Sequence, residues 1–221
     1  MDVRIADLYD LSNTIAAPLL ERFEYPWEAL AHIKEFILEL GPTLPHDEFD
    51  QVKEGVWIAK DAKVFESAYL GAPLIVDHGA EVRHCAFVRG SAIVGKGAVV
   101  GNSVELKNCI LFDKAQVPHF NYVGDSILGR GAHMGAGAIT SNLKSDRTLV
   151  VVKAADGEAI ETGIKKFGAM LGDGVEVGCN SVLNPGSVVG KGCTVYPLSR
   201  VRGFVPANHI FKDPDNIVQK R

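Results

Sequence analysis

Apolar side chains recur at every sixth position through much of the chain after residue 57. Ten successive positions fit with no gap, and the same period returns in the last third of the chain. The first run is Ile58, Val64, Leu70, Val76, Val82, Val88, Val94, Val100, Leu106 and Phe112, and the second is Leu171, Val177, Leu183, Val189, Val195 and Val201. A helix would repeat every 3.6 positions and a half-buried strand every second position. A period of six is instead typical of hexapeptide repeats in a parallel β-helix, in which three six-residue sides close each coil.

The composition agrees with a narrow core of small apolar side chains. Of the 221 residues, 47% are hydrophobic but only 8% are aromatic. A formal net charge of −4 gives no electrostatic footprint for binding nucleic acid. We find no secretory leader and no apolar run of about 18 residues, so we expect neither secretion nor a membrane span. We therefore expect a cytoplasmic protein whose four cysteines are free thiols.

The first 50 residues do not follow the six-residue period. The run 26–40 predicts a helix with one apolar stripe, and a shorter helix is expected between Ile5 and Phe23. We therefore expect residues 1–50 to form a helical cap or connector. Because an open β-helix end exposes unpaired strand edges, we expect this cap to cover the end, with Tyr25 and Trp27 as its packing anchors.

The rest of the chain divides into a β-helix over 51–204 and a charged tail over 205–221, which we expect to fray or to cover a neighbour. The segment 141–168 leaves the period, and two strand-like runs around a turn at Asp156-Gly157 predict a β-hairpin that protrudes from one corner. The period also slips by one residue between Phe112 and Val117 and again between Val123 and Leu128. Two slips around Pro118-His119 predict a bulge or a short loop outside the coil there.

Three motifs lie between these irregularities, where a regular solenoid can carry a function. They read VGNSVELK over 100–107, HFNYVGD over 119–125 and GAGAITSN over 135–142. Together they resemble the acetyltransferase half of the bacterial bifunctional enzyme that makes UDP-N-acetylglucosamine. They resemble still more the archaeal sugar-phosphate nucleotidylyltransferase/acetyltransferases. The resemblance covers about residues 20–212.

This resemblance implies a left-handed β-helix, although the general rule for crossovers favours the right hand. It also implies a homotrimer with active sites between subunits. The implied reaction is acetyl transfer from acetyl-CoA, as co-substrate, to an amino-sugar phosphate or a nucleotide-linked amino sugar. No structural metal is expected.

The resemblance assigns His119 as the general base that takes a proton from the sugar amine, a role that suits a side chain with a pKa near neutrality. Arg89 and Lys107 match the phosphate-binding cations. They lie eighteen residues apart, which is one coil, so they should stack with an anion between them. Tyr122 and Asn142 match the residues that contact the sugar, although Tyr122 suits corner packing equally well.

Two family positions are changed in this chain. His133 stands where the family has a second sugar-contacting asparagine, and Cys179 stands where it has a serine near the thioester. Ala136 matches the family alanine whose backbone approaches the cofactor, and Lys166, Arg202 and Lys212 are expected partners of the coenzyme A phosphates. Together with Cys179, they form the expected set of cofactor-binding residues.

Other functions stay open on the sequence. The changes at His133 and Cys179 allow a non-catalytic subunit that binds a sugar phosphate or sugar nucleotide or serves in assembly. A zinc enzyme like the γ-class carbonic anhydrases is a minor alternative, but it needs an H-x4-H pair that the seven histidines do not form. We find no glycine-rich nucleotide loop, so we expect no nucleotidyl transfer by this chain alone. A separate nucleotidyltransferase is a possible partner.

Overall fold

A computed structural model describes residues 2–154 and 157–221, and it confirms the parallel β-helix. Short strands stack in parallel register from coil to coil on three flat faces.

Face 1 holds β4 (Tyr69–Leu70), β7 (Phe87–Val88), the first part of β10 (Glu105–Leu111) and of β12 (Tyr122–Leu128), β14 (Ile139–Thr140), β19 (Val182–Leu183) and β22 (Arg200–Val201). Face 2 holds β2 (Val56–Ala59), β5 (Leu74–Val76), β8 (Ala92–Val94), the remainder of β10 and of β12, β17 (Ala169–Leu171), β20 (Ser187–Val189) and β23 (Phe204–Val205). Face 3 holds β3 (Lys63–Val64), β6 (Glu81–Val82), β9 (Val99–Asn102), β11 (Gln116–His119), β13 (His133–Met134), β18 (Glu176–Val177), β21 (Thr194–Val195) and β24 (His209–Asp213).

The repeated apolar residues fill the interior, as the period of six predicts. Val76, Val94, Leu171 and Val189, for example, are 0% exposed and belong to one core cluster. Phe112 is an exception to the predicted register. Leu111 pairs with Val94 and takes the inward position, so Phe112 turns outward and packs on Tyr9 with ring centroids 5.0 Å apart.

The second slip in the period lies between Val123 and Leu128, as predicted, whereas the first lies between Leu106 and Leu111 and not after Phe112. β10 and β12 each run without a break from face 1 onto face 2, and the corner that they cross is one residue shorter than in the two preceding coils. The shortened corners contain Asn108 and Asp125, both with a positive φ, of 50° and 48°. The irregularity therefore belongs to the corner between faces 1 and 2. It does not belong to Pro118-His119.

The helical segment lies along face 2 instead of covering the end of the β-helix, which corrects the expectation. It contains α1 (Ile5–Leu8), α2 (Ala17–Leu20), α3 (Ile33–Leu40) and 3-10 turns at Leu11–Asn13, Pro26–Ala31 and Gly41–Thr43. The outward side chains of face 2 form a second apolar stripe, among them Ile93 and Ile110, and the segment buries that stripe. Trp27 accordingly stacks on Tyr25 at 4.7 Å and contacts Phe167 at 5.6 Å, between ring centroids.

The expected helix over 26–40 is divided in two at His32, between the 3-10 turn and α3. The carbonyl of Leu30 accepts a hydrogen bond from the Asn108 side chain at 3.1 Å, so it is engaged by the β-helix. This contact ties the helical segment to the corner between faces 1 and 2.

Antiparallel strands complete both ends of the β-helix. β1 (Phe49–Lys53) pairs with β2, and β25 (Asn216–Gln219) pairs with β24. The tail that was expected to fray therefore continues the sheet, and the added strands cover edges that would otherwise be open.

The predicted hairpin is present as β15 (Val151–Lys153) and β16 (Ala159–Glu161), which pair antiparallel. Of the expected turn, Asp156 lies outside the described residues. The hairpin leaves the corner between faces 1 and 2, but it does not stand free. Val150 and Val152 are 1% and 0% exposed and join the apolar cluster of the helical segment.

Candidate functional site

A buried carboxylate organises the corner between faces 1 and 2, which we call the aspartate edge. Asp125 is 3% exposed. The Lys107 ammonium donates to both of its carboxylate oxygens at 2.8 Å, and the Asn108 amide donates at 2.9 Å. The Asn142 amide donates to the same carboxylate. Three of the side chains at this edge are therefore fixed by one acceptor, which the shortened corner turns towards them.

Tyr122 completes this cluster on face 1. Its hydroxyl accepts a hydrogen bond from the Asn142 amide at 3.1 Å. Burial, together with the nearby charges of Asp125 and Glu105, raises the pKa of Tyr122, so the phenol stays protonated at neutral pH. Gly124 leaves the space that the tyrosine ring occupies, because a Cβ at position 124 would lie 2.7 Å from Cζ of Tyr122.

Arg89 lies one coil before Lys107 at the same edge, as the pairing of Leu106 with Val88 requires. The two cations therefore lie on successive coils, as the spacing predicts, and an anion between them stays a prediction. Arg89 donates to the Glu105 carboxylate at 2.9 Å, and that ion pair raises its pKa. Both cations at this edge thus already have a carboxylate partner in the chain.

His119 lies at the opposite side of face 1, at the corner between faces 3 and 1, which we call the histidine edge. Its side chain is exposed. Its backbone is fixed on both sides: the N–H donates to the Asn121 side chain at 3.1 Å, and the carbonyl accepts from Gly137 N–H at 3.0 Å. Asn121 is 2% exposed and donates to the carbonyls of Gly135 and Ala138, so it ties the histidine turn to the next coil.

The expected cofactor-binding residues divide between the two edges. Ala136 and Cys179 follow His119 on successive coils of the histidine edge, since the Ala136 carbonyl accepts from Asn180 N–H at 2.9 Å. Lys212 lies at the same edge, with its ammonium 5.8 Å from the centroid of the Tyr196 ring. Lys166 and Arg202 are instead at the aspartate edge.

His133 does not join the sugar-contact cluster of its own chain. It projects from face 3, where its strand position pairs with Gln116 and Glu176. Its Nδ1 lies 2.8 Å from the Glu176 carboxylate. Within one chain, therefore, His133 and the Tyr122 cluster lie on different faces.

Three polar residues of the site, Glu105, Asn108 and Asp125, were not assigned from the sequence. Glu105 and Asp125 stand inside the quoted motifs, and Asn108 follows the first of them directly. The two slips in the period also mark the shortened corners. Both signals were present, but the direction of each side chain depends on the corner geometry.

No three histidine, cysteine or acidic side chains among residues 2–154 and 157–221 are grouped so that they could hold a metal ion. In the same part of the chain, no helix has the length and apolar character needed to cross a bilayer.

Replacing Asp125 by asparagine tests whether the carboxylate holds this edge together. Asparagine has the same size and tolerates a positive φ, so the change keeps the shape but removes the charge and replaces one of the two acceptor oxygens by a donor. Because Lys107 would lose a buried partner, we expect unfolding to require about 3 kcal/mol less in chemical denaturation. The control is Arg89→Gln, which breaks a more exposed pair and should cost much less, because solvent screens that pair. Equal losses in the two variants would contradict the organising role of Asp125.

Comparison with known proteins finds relatives that are named as bifunctional proteins. The chain is 34% identical over 110 residues to the bifunctional sugar-1-phosphate nucleotidylyltransferase/acetyltransferase of Sulfurisphaera tokodaii, which is 50% of this chain and 27% of that protein. It is 34% identical over 125 residues to the bifunctional protein GlmU of Methanococcus vannielii, which is 54% of this chain and 28% of that protein. The chain therefore matches little more than a quarter of the length of these relatives.

Other similarities are partial. The GMPPB C-terminal domain family matches residues 70–156. Among solved structures, the acetyltransferase domain of PglB from Neisseria gonorrhoeae is 16% identical, with 84% of this chain and 64% of that chain covered and a TM-score of 0.36. A score of this size supports no conclusion about the present chain. The relatives with sequence similarity confirm the resemblance stated from the three motifs: over about half of its length, the chain is related to the bifunctional sugar-1-phosphate nucleotidylyltransferase/acetyltransferases.

Proposed function

We propose that this chain is a CoA-dependent N-acetyltransferase that acts on an amino-sugar phosphate or a nucleotide-linked amino sugar. The observation that carries the proposal is the arrangement on face 1. An exposed histidine lies at one edge, and a preorganised cluster of Lys107, Tyr122 and Asn142 around Asp125 lies at the other. The names of the relatives, which include sugar-1-phosphate acetyl transfer, support the same reaction.

The chemistry needs a base and correct positioning. The amine nitrogen attacks the thioester carbonyl, the new C–N bond forms and the C–S bond breaks. His119 takes the proton that the nitrogen loses, and coenzyme A leaves with its sulfur. Because a thioester is already activated, positioning both reactants can supply much of the rate without a covalent enzyme intermediate.

We further propose a homotrimer in which neighbouring chains share each site. In one chain His133 lies on face 3, the Tyr122 cluster lies on face 1, and the expected cofactor residues are divided between the two edges. Contact between the histidine edge of one chain and the aspartate edge of its neighbour would bring these groups together. Exposed apolar side chains on and beside face 1, Tyr69, Phe87 and Leu198 at 59%, 43% and 79% exposure, suit such a contact.

The cellular setting forms part of the proposal. The proposed acyl donor and the four cysteines without a disulfide support a cytoplasmic reaction. A separate nucleotidyltransferase would supply or consume the sugar nucleotide.

The central test is a mass-spectrometric assay that pairs acetyl-CoA with glucosamine-1-phosphate, galactosamine-1-phosphate and amino UDP-sugars. We expect an N-acetylated product with the wild type. In His119→Ala we expect turnover to fall roughly 10²- to 10⁴-fold, since the general base is lost. The control is His84→Ala, which should acetylate the acceptor at the wild-type rate. Sugar binding without turnover in the wild type would favour the non-catalytic alternative.

The shared site requires oligomerisation. Light scattering of the wild type should give a mass about three times the 23.8 kDa of one chain. A mass of one chain, measured in a preparation that turns over, would contradict sharing of the site.

The histidine edge can be probed through its cysteine. Cys85 and Cys179 are both exposed, whereas Cys109 and Cys193 are buried. Burial, with a smaller effect from Asp125, raises the pKa of Cys109 to about 12, so it should not react. Because Cys179 lies beside Ala136, we expect acetyl-CoA to slow alkylation of Cys179 by iodoacetamide at least several-fold. Cys85 provides the matched control and should keep its rate; equal rates at Cys179 with and without acetyl-CoA would place the cofactor elsewhere.

A further inference from the structure

A cleft of about 780 Å³ lies at the aspartate edge, between the base of the hairpin and the last coils. The hairpin side contributes Ser141, Lys144 and Lys153, and the coil side contributes Arg200 and Arg202. Its volume falls within the range of roughly 300 to 1,000 Å³ that is usual for small-molecule sites.

The cleft is strongly cationic in a protein of net charge −4. Among the described residues that line it, four are lysines or arginines and one, Asp146, carries a carboxylate. Lys144 lies 3.7 Å from that carboxylate, whereas Lys153, Arg200 and Arg202 have no ion-pair partner among the described residues. Unpaired cations around a concave surface concentrate positive potential there, and this favours an anion of more than one charge.

The cations on the other side of Tyr122 differ in this respect. Arg89 is paired with Glu105 and Lys107 with Asp125, so a phosphate that binds there must displace or share a carboxylate. A phosphate in the cleft meets no such competition at Arg200 and Arg202. The charge distribution therefore favours the cleft for the more highly charged part of a ligand.

The cleft is also close to the sugar-contact cluster. Ser141, which lines it, directly precedes Asn142. Along face 1, Tyr122 pairs with Ile139, Ile139 with Val182 and Val182 with Arg200. At a strand spacing of about 4.8 Å, Tyr122 and Arg200 are roughly 14 Å apart along the stack. A ligand with its sugar at Tyr122 would need an extended phosphate group to reach the arginines.

The remaining lining suits a nucleoside that is held through its phosphates. Leu143, Val150 and Pro185 give the cleft an aliphatic wall. None of the described residues that line it is aromatic, so a base would find no aromatic ring there to stack on, and the cations must supply most of the affinity.

We propose that this cleft binds the nucleoside diphosphate of the acceptor, so that the substrate is a nucleotide-linked amino sugar. The inference rests on the proposed function, because it takes the Tyr122 cluster as the place of the sugar. It selects one of the two acceptor classes left open above, and it gives the hairpin lysines a role in recognising the acceptor.

The test is calorimetric titration of the full chain with UDP, with uridine and with adenosine 3′,5′-bisphosphate, which is the phosphorylated end of coenzyme A. The variants are Arg202→Gln on the coil side and Lys153→Gln on the hairpin side, and Lys34→Gln, an exposed lysine of α3, is the matched control. Ligand-free melting temperatures show that each variant is folded. Because the titrations contain no acetyl donor, they do not depend on turnover.

We expect UDP to bind and uridine not to bind. Each cleft variant should weaken UDP on the order of tenfold, as for the loss of one charge-assisted contact, and Lys34→Gln should leave the affinity unchanged. Higher salt should weaken binding. UDP affinity that is equal in all variants would overturn the proposal. Binding of adenosine 3′,5′-bisphosphate without UDP would also overturn it and would assign the cleft to the cofactor. His119→Ala should retain UDP while losing turnover, which separates this inference from the catalytic one.

Discussion

Parallel pairing of successive coils is the constraint on which the rest of this structure depends. Each strand lies about 4.8 Å from its equivalent in the next coil, so residues at the same position of each coil form straight columns. The inward columns must be apolar and small, since they fill a narrow interior. The outward and corner columns are free to vary, and in this chain two corner columns carry almost all of the chemistry. Residues distant in sequence, such as Arg89 and Lys107, are neighbours for this reason alone.

The aspartate edge shows how a small irregularity in that stacking creates a site. Two corners are one residue shorter than those of the preceding coils, and they place Asn108 and Asp125 in the left-handed region. The buried Asp125 carboxylate then receives Lys107, Asn108 and Asn142 together. Asn108 also reaches the Leu30 carbonyl, and the hairpin begins just beyond Asn142. The β-helix, the helical segment and the hairpin thus meet at one carboxylate.

Two regions of opposite electrostatic character lie along this edge. Near Asp125 each cation has its own carboxylate, so the region is neutral and rigid. Beneath the hairpin Arg200, Arg202 and Lys153 have no such partner among the described residues, so the region is positive. A ligand with a neutral ring and a charged tail matches this division. The proposed function and the further inference both depend on the contrast between the two regions.

The sequence by itself determined the β-helix, its inward residues, the hairpin and the motifs that contain His119, Tyr122 and Asn142. A period of six leaves only one regular architecture, and local turn residues identify an insertion. The tertiary structure decided the packing of the helical segment on face 2, the inward position of Leu111 in place of Phe112, and the pairing of Arg89 and Lys107 with carboxylates. It also placed His133 on a different face from Tyr122. Sequence spacing shows which residues share a column. It does not show how a shortened corner orients their side chains, or that the outward apolar stripe of face 2 is buried by the helical segment. Those outcomes depend on contacts between segments far apart in the chain.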